Sequence, residues 1–325
     1  MFEVDPNLWL QSFGAPWFAW LMRAVSALGY EWFYVLVLIV AGFALRLRPM
    51  LGVMLALLLA GTCTYAAKDG LRLPRPVQVD ARVLDEGLPN RQWQVEHGGA
   101  ASFAALPSAQ AIAAQRTAPE PDYGFISGHV ASATAMCAAL WLFFGVRSRW
   151  LRVALVAWPL LMAVSRMYLG RHFLGDVVGG ATAGIGAAFL AHWLWESGGG
   201  RPRTLALLAI ALCVASLPFP ALHPGTLGRL LGLAATAWLL AREGYPPDDA
   251  SLPRRAVRVA LAFALYASTR LAVDAVADCA GWTNSSRMTI VLSALATTVV
   301  LYGTVRLARR LGCYLQAGRA PVAAP

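Results

Sequence analysis

Three short segments of the 325-residue chain hold most of the side chains suited to nucleophilic or acid–base chemistry. They are residues 68–76, 127–129 and 165–176, and they include the cations Lys68, Arg75 and Arg166, two histidines and the carboxylate of Asp176. A phosphoryl group in transfer carries negative charge on its equatorial oxygens, so an enzyme must mainly position it and stabilise that charge. This set of residues therefore predicts phosphoryl-group chemistry.

The cations and the second segment are suited to binding phosphate oxygens. Arg75 and Arg166 can each hold two oxygens with a planar guanidinium, and Lys68, the only lysine in the chain, adds a point charge. Ser127 and Gly128 precede an apolar run and are expected at a helix N-terminus, where free N–H groups and the helix dipole attract anions. We predict that these five residues surround a phosphate.

The two histidines are predicted to have different roles. His172 and Asp176 are four residues apart, so they share one helix face. Asp176 is expected to accept a hydrogen bond from one ring nitrogen, which leaves the other free to attack phosphorus. His129 has no such partner in its own segment and is predicted to protonate the departing oxygen. The product of the first step is then a phosphohistidine, and the mechanism requires no metal and no cofactor.

Long apolar blocks must position these segments. The chain is 58% hydrophobic and 14% charged, whereas soluble domains are roughly a quarter charged, and crossing a bilayer takes about 20 apolar residues. We predict an all-α polytopic membrane bundle of about nine transmembrane helices, preceded by a Trp-rich segment at the membrane interface, residues 8–28. The predicted spans are 30–46, 50–67, 128–146, 150–168, 176–196, 204–220, 226–241, 256–277 and 288–306.

Basic clusters follow every odd-numbered span, which places those loops and the C-terminus in the cytoplasm. The three segments then meet at the exterior face, which is the periplasmic face if the protein lies in a bacterial inner membrane. Two exterior loops, 68–127 and 166–175, carry basic residues against this rule, as expected if they bind an anion. Residues 1–13 lack the basic region of a cleavable signal peptide. The clusters are Arg46 and Arg48; Arg147, Arg149 and Arg152; Arg201 and Arg203; Arg242, Arg254 and Arg255; and Arg306, Arg309 and Arg310.

The patterns KxxxxxxRP, SGH and SRxxxxxHxxxD, in this order, resemble the three motifs of the type 2 phosphatidic acid phosphatase superfamily. That superfamily includes membrane-bound lipid phosphatases, glucose-6-phosphatase and vanadium haloperoxidases. The resemblance covers about residues 17–196. It implies a helical core and a phosphohistidine mechanism with His172 as nucleophile, His129 as acid and Asp176 as orienting group. It further implies that Lys68, Arg75, Ser127, Gly128 and Arg166 lie around the phosphate.

The chain departs from that pattern at one position and extends beyond it at the C-terminal end. Ile126 stands where the superfamily usually has a proline before Ser-Gly-His, which removes a rigid residue but no functional group. Nine spans with an exterior N-terminus resemble glucose-6-phosphatase more than the six-span lipid phosphatases. The glycine-rich stretch 225–232 is similar to a later span of that branch.

We divide the chain into an interfacial segment 1–29, a catalytic core 30–196 with an exterior insertion 77–124, and additional helices with a short cytoplasmic tail, 197–325. The proline-containing insertion is interpreted either as a cap that selects the substrate or as an unstructured exterior loop.

Some charged residues and histidines lie outside the motif positions. Arg72 and Arg171 are candidates for substrate contact or for ordinary interface charge. Arg270 and Asp274 are expected to form an ion pair within a span. The remaining histidines are interpreted as structural; they are His97, His192 and His223.

The leading function is metal-independent hydrolysis of a lipid phosphate or diphosphate, with a polyprenyl diphosphate or a phospholipid head group as substrate. Hydrolysis of a small soluble phosphoester such as a sugar phosphate, and transfer of the phosphoryl group to another lipid, are the alternatives. The expected partners are a lipid substrate and the bilayer. Nucleic acid is excluded because the basic residues form no continuous polar face, despite a net charge of +10. The oligomeric state is left open.

Overall fold

The computed structural model describes residues 1–86, 95–119, 121–196, 202–216, 222–247, 251–282 and 287–314. Within these residues all regular secondary structure is helical, which confirms the predicted all-α class. The α-helices are α1 Asp5–Gln11, α2 Pro16–Ala27, α3 Glu31–Val40, α4 Leu47–Leu71, α5 Pro76–Val79, α6 Ala109–Thr117, α7 Gly128–Phe144, α8 Arg149–Tyr168, α9 Leu174–Glu196, α10 Pro202–Ala215, α11 Pro224–Glu243, α12 Leu252–Ala280, α13 Met288–Thr298 and α14 Thr304–Arg310.

Five helical segments in the described part of the chain are long and apolar enough to cross a membrane. A sixth results if α2 and the helix Glu31–Leu45, bent by 59° from it, are counted as one span. Each of the nine predicted spans overlaps a helix, but several of these helices are short or only moderately apolar. The number nine therefore stays a prediction. The five segments are Leu47–Val79, Arg149–Tyr168, Leu174–Glu196, Leu252–Ala280 and Met288–Arg310.

The N-terminal segment consists of two helices rather than one. α1 ends at Gln11, and α2 begins with Pro16 in its first turn, where a proline costs no hydrogen bond because its missing N–H would have no partner in the helix. Trp17 and Trp20 on α2 are exposed, as expected for residues at a membrane interface.

The chain divides into two compact units. The first comprises Met1–Tyr34 and Ala56–His192 and contains every predicted site residue. In this unit α8 packs against α1, α2 and α7. Apolar side chains from these helices and from α9 form a core that includes Val25, Val130, Met162 and Val177. The N-terminal helices are therefore part of the same core as the helices that carry the motifs.

α7 and α9 approach closely at Gly180. A Cβ atom at this position would lie 2.6 Å from the carbonyl oxygen of Ser127, closer than van der Waals radii allow, so the approach requires glycine. This contact brings the beginning of α7 next to the first turns of α9.

The described parts of the insertion 77–124 are folded onto the first unit. The N–H groups of Val95 and Gly98 donate to the carbonyls of Gln78 and Val79 at 3.1 and 2.7 Å. Apolar residues of the insertion form a core cluster with Val4 and Phe173. These parts are therefore not an unstructured loop, while residues 87–94 and 120 lie outside the described residues.

The second unit comprises Val35–Leu55 and Trp193–Pro325. In it α11 packs against α10 and α13. Gly228 and Gly232 face α13 so closely that a Cβ would lie 2.3 and 2.6 Å from the carbonyl oxygens of Ile290 and Ala294. The glycine-rich stretch recognised in the sequence thus serves helix packing.

Of two predictions on the second unit, one can be compared with the structure. On α12, Arg270 Nε lies 3.2 Å from Asp274 Oδ2, which confirms the predicted ion pair. Of the predicted cytoplasmic cluster after the fifth span, Arg201 and the side chain of Arg203 lie outside the described residues.

Candidate active site

His172 lies in the short loop between α8 and α9 and is buried. Its Nδ1 is 3.4 Å from Asp176 Oδ2, in the first turn of α9. The same carboxylate oxygen accepts a hydrogen bond from the N–H of Phe173 at 2.9 Å. Asp176 therefore faces Nδ1 as predicted, and Nε2 is the ring nitrogen directed away from the carboxylate.

The electrostatic surroundings of His172 favour a neutral imidazole. Burial lowers its pKa well below the usual 6.5, and the positive charges of Arg75, Arg166 and Lys68 lower the pKa further. A neutral imidazole retains a free lone pair on one nitrogen, which a nucleophile needs.

Ser127 and Gly128 join the second segment to the third. The N–H of Ser127 donates to the carbonyl of Asp176 at 2.9 Å, so the N-terminus of the 17-residue helix α7 begins beside Asp176. The Ser127 side chain is fully buried, and its Oγ has no hydrogen-bond partner within the described structure. A buried hydroxyl in this state is expected to bind a ligand oxygen, because leaving it unpaired is unfavourable.

His129 contacts two residues of the turn between α2 and α3, Gly29 and Tyr30. The ring of Tyr30 meets the imidazole edge-on at 4.8 Å between centroids. A Cβ at Gly29 would lie 2.2 Å from His129 Cδ2, so glycine is needed for this contact. The Nε2 atom of His129 is buried and has no hydrogen-bond partner within the described structure. This atom is therefore available to a substrate.

Arg75 and Arg166 are both buried, and protein acceptors hold part of each guanidinium. Arg166 Nη1 donates to Ser26 Oγ at 2.6 Å. Arg75 Nη1 donates to the carbonyl of Arg171 at 3.1 Å. In each arginine the Nε atom is buried and lacks a hydrogen-bond partner within the described structure. Both cations are thus fixed in orientation and keep a donor for an anion.

The end of the insertion closes over the first segment. Lys68 Nζ donates to the carbonyl of Tyr123, and Arg75 Nη2 lies 2.5 Å from Asp122 Oδ1. The N–H of Gly124 donates to the carbonyl of Leu73 at 2.8 Å. We call residues 122–124 the strap, because they cross the first segment and lead directly into Ser127.

Arg72 and Arg171, the two candidates for substrate contact, both pair with carboxylates. Arg171 forms a buried ion pair with Asp85 at 2.9 Å. Arg72 pairs with Asp69 at 3.1 Å, and both side chains are exposed. In this structure Arg171 therefore joins the insertion to the loop of His172, and a contact of either arginine with substrate stays a prediction.

The structure brings the predicted residues together and adds several that sequence reasoning missed. The cations Arg75, Arg166 and Lys68, and also His129, all lie close enough to His172 to act on its charge. In the described part of the chain no cluster of three or more His, Cys, Asp or Glu side chains suits a metal ion. The missed residues follow no motif spacing; they are Ser26, Gly29, Tyr30, Asp122 and Tyr123.

The chain is similar to known proteins in sequence and in structure. Residues 49–198 match the PAP2 superfamily. The chain is 35% identical over 72 residues to a lipid A 4'-phosphatase from Bacteroides thetaiotaomicron, and this match covers 22% of the chain and 31% of the relative. The chain thus spans about a third of that relative's length. The crystal structure of Aquifex aeolicus LpxE aligns with a TM-score of 0.43 and 18% identity, over 59% of this chain and 94% of that one.

Proposed function

We propose that this chain, whose residues 49–198 match the PAP2 superfamily, is a membrane phosphatase that hydrolyses the phosphomonoester of a lipid through a histidine nucleophile. In this proposal residues 30–196 carry all of the catalytic side chains, residues 197–325 supply additional helices, and the site faces the exterior of the membrane.

One observation carries the proposal: a set of buried polar atoms without partners adjoins a neutral histidine oriented by a carboxylate. The unpartnered atoms are Nε of Arg75, Nε of Arg166, Oγ of Ser127 and Nε2 of His129. Unpaired buried donors are costly, and these donors match the oxygens of a phosphate group. The neutral state of His172 follows from its lowered pKa.

In the first step we propose that His172 Nε2 attacks phosphorus. A nitrogen–phosphorus bond forms as the phosphorus–oxygen bond to the lipid breaks, and its electron pair passes to the departing oxygen. That oxygen takes a proton from His129. Asp176 stabilises the positive charge that develops on the imidazole, while Arg75, Arg166 and Lys68 stabilise the charge on the equatorial oxygens.

In the second step a water molecule attacks phosphorus and gives a proton to His129, which the first step left neutral. The nitrogen–phosphorus bond breaks, its electron pair returns to His172 Nε2, and inorganic phosphate leaves. His129 then carries the proton needed for the next cycle. The side chains supply all of the positive charge in this scheme, so the reaction is expected to proceed in the presence of a chelator.

The proposed substrate is a lipid that carries a phosphomonoester on its head group. The curated relative is a lipid A 4'-phosphatase, which makes a sugar-linked phosphate of a glycolipid the first candidate. The half-exposed ring of Tyr30 lies beside His129, the proposed proton donor to the leaving group. The first atoms of that leaving group are therefore expected to contact Tyr30.

The test is phosphate release by the full chain, purified in detergent with a chelator. The substrates are lipid A, phosphatidic acid, phosphatidylglycerophosphate, undecaprenyl diphosphate and glucose-6-phosphate, each with the wild type, His172→Ala and His192→Ala. The last variant is the matched control, because His192 packs against Phe143, away from the motif residues. We expect release from a lipid phosphomonoester that His172→Ala abolishes and His192→Ala preserves.

Three other outcomes would change the proposal. Release that persists in His172→Ala would reject the histidine mechanism. A preference for glucose-6-phosphate would replace the lipid by a soluble substrate. Formation of a new phospholipid without release of phosphate would indicate a transferase.

A further inference from the structure

We propose that Asp122 is a specificity-determining residue, which sets the charge of the site to match a phosphomonoester dianion and thereby disfavours diphosphates. This inference rests on the proposed phosphatase function, and it concerns a residue in none of the three motifs. It is derived from the position of the strap and from the charges around His172.

The strap holds the Asp122 carboxylate against a phosphate-binding cation. Asp122 Oδ1 lies 2.5 Å from Arg75 Nη2, and 51% of the Asp122 side chain is exposed, against 10% for Arg75. The Asp122 carbonyl accepts from Gln115 Nε2 at 3.3 Å. Asp122 is thus fixed at the rim of the site, between Arg75 and the solvent.

Cationic side chains outnumber carboxylates at the site. By formal charge, and with both histidines neutral, these residues leave one net positive charge. The proton that the proposed mechanism places on His129 raises the net charge to two. The described residues counted here are the cations Lys68, Arg75, Arg166 and Arg171 and the carboxylates Asp85, Asp122 and Asp176.

A phosphomonoester dianion cancels a charge of plus two, whereas a terminal diphosphate brings about one further negative charge at neutral pH. Of the three carboxylates, Asp176 faces His172 and Asp85 is buried against Arg171. Only Asp122 is both half-exposed and paired with a cation that we assign to the phosphate. A second phosphoryl group adds negative charge to the site, and the Asp122 carboxylate, paired with Arg75 at the rim, repels that charge.

The experiment measures inhibition of the protein's own reaction by inorganic phosphate and by inorganic pyrophosphate. The variants are Asp122→Asn, which removes the charge, and Asp122→Glu, which keeps it. Asp69→Asn is the matched control, because it removes a carboxylate from the neighbouring exposed pair with Arg72. Thermal unfolding in detergent checks that each variant is folded.

We expect Asp122→Asn to strengthen inhibition by pyrophosphate relative to phosphate about five- to tenfold, the effect of one charge in a partly screened site. Asp122→Glu and Asp69→Asn should keep the wild-type ratio. Equal changes for both anions in Asp122→Asn would overturn the proposal and leave Asp122 a merely structural role. The same shift in Asp69→Asn would also overturn it, because the effect would then be general. A wild type that hydrolyses no phosphoester would instead reject the proposed function.

Discussion

At the scale of single residues, the contact between Gly29 and His129 is the most sensitive feature of the site. A methyl group at position 29 would lie 2.2 Å from His129 Cδ2, so Gly29→Ala must displace the imidazole. A misplacement of about 1 Å can lower the rate of an enzyme about 100-fold. We expect kcat to fall by about that factor with KM little changed, as measured by steady-state phosphate release.

The control for this prediction is Gly186→Ala on α9, where a Cβ would meet nothing within 4 Å. This variant should keep the wild-type kcat. A Gly29→Ala variant that also retained full activity would show that the position of the His129 ring does not limit the reaction.

The lowered pKa of His172 predicts how stability depends on pH. Below about pH 6.5 an unfolded chain protonates this histidine, whereas the folded protein keeps it neutral because burial holds its pKa lower. The free energy of unfolding should therefore decrease as the pH falls from 7.5 to 5. His172→Gln lacks this contribution, so its thermal midpoint in detergent should fall less than that of the wild type. Parallel midpoints across this range would contradict the lowered pKa.

At the scale of secondary-structure elements, α1 supports the loop that carries the proposed nucleophile. Asn7 is fully buried, and its Nδ2 donates to the carbonyls of Met167 and His172 at 2.8 and 3.0 Å. Asn7→Leu removes both hydrogen bonds. The carbonyl of Met167 keeps the N–H of Gly170 as a donor, whereas the carbonyl of His172 loses the donor on Asn7, at a cost of roughly 1–3 kcal/mol. We expect a lower thermal midpoint and a lower kcat.

A suitable control is Ser12→Ala, directly after this helix, because the Ser12 hydroxyl donates only locally, to the carbonyl of Trp9. Ser12→Ala should leave the thermal midpoint and kcat near those of the wild type. If Asn7→Leu lowered the midpoint but kept kcat, α1 would stabilise the unit without positioning His172.

Contacts between residues close together in the sequence could be predicted, whereas contacts between residues far apart in the sequence could not. The contact of His172 with Asp176 was predictable from their separation of four residues, although His172 lies in the loop before α9 and not on the helix face that the sequence reasoning assumed. The meeting of the three segments followed from the order of apolar blocks and loops. The ion pair of Arg75 with Asp122 spans 47 residues, and the insertion between them has no periodic pattern, so no local rule predicts it. Tyr30 and Ser26 were missed for the same reason.

At the scale of the whole molecule, orientation in the membrane is the main prediction that depends on charge distribution alone. Ser102 lies in the insertion and Arg147 follows α7, and both are exposed. With the native cysteines replaced by serine, Ser102→Cys should react with a membrane-impermeant maleimide in intact spheroplasts. Arg147→Cys should react only after lysis. The reverse pattern would invert the proposed topology and move the site to the cytoplasmic face.

The hydrogen bonds of Asn7 also have a consequence for biosynthesis. They join residues 160 and 165 positions apart, so α1 cannot reach its final contacts until the His172 loop has left the ribosome. At about 5–20 residues per second, Asn7 emerges roughly 10–30 s before its partners do. A nascent chain would therefore acquire its hydrolytic competence only after more than half of its 325 residues have been translated.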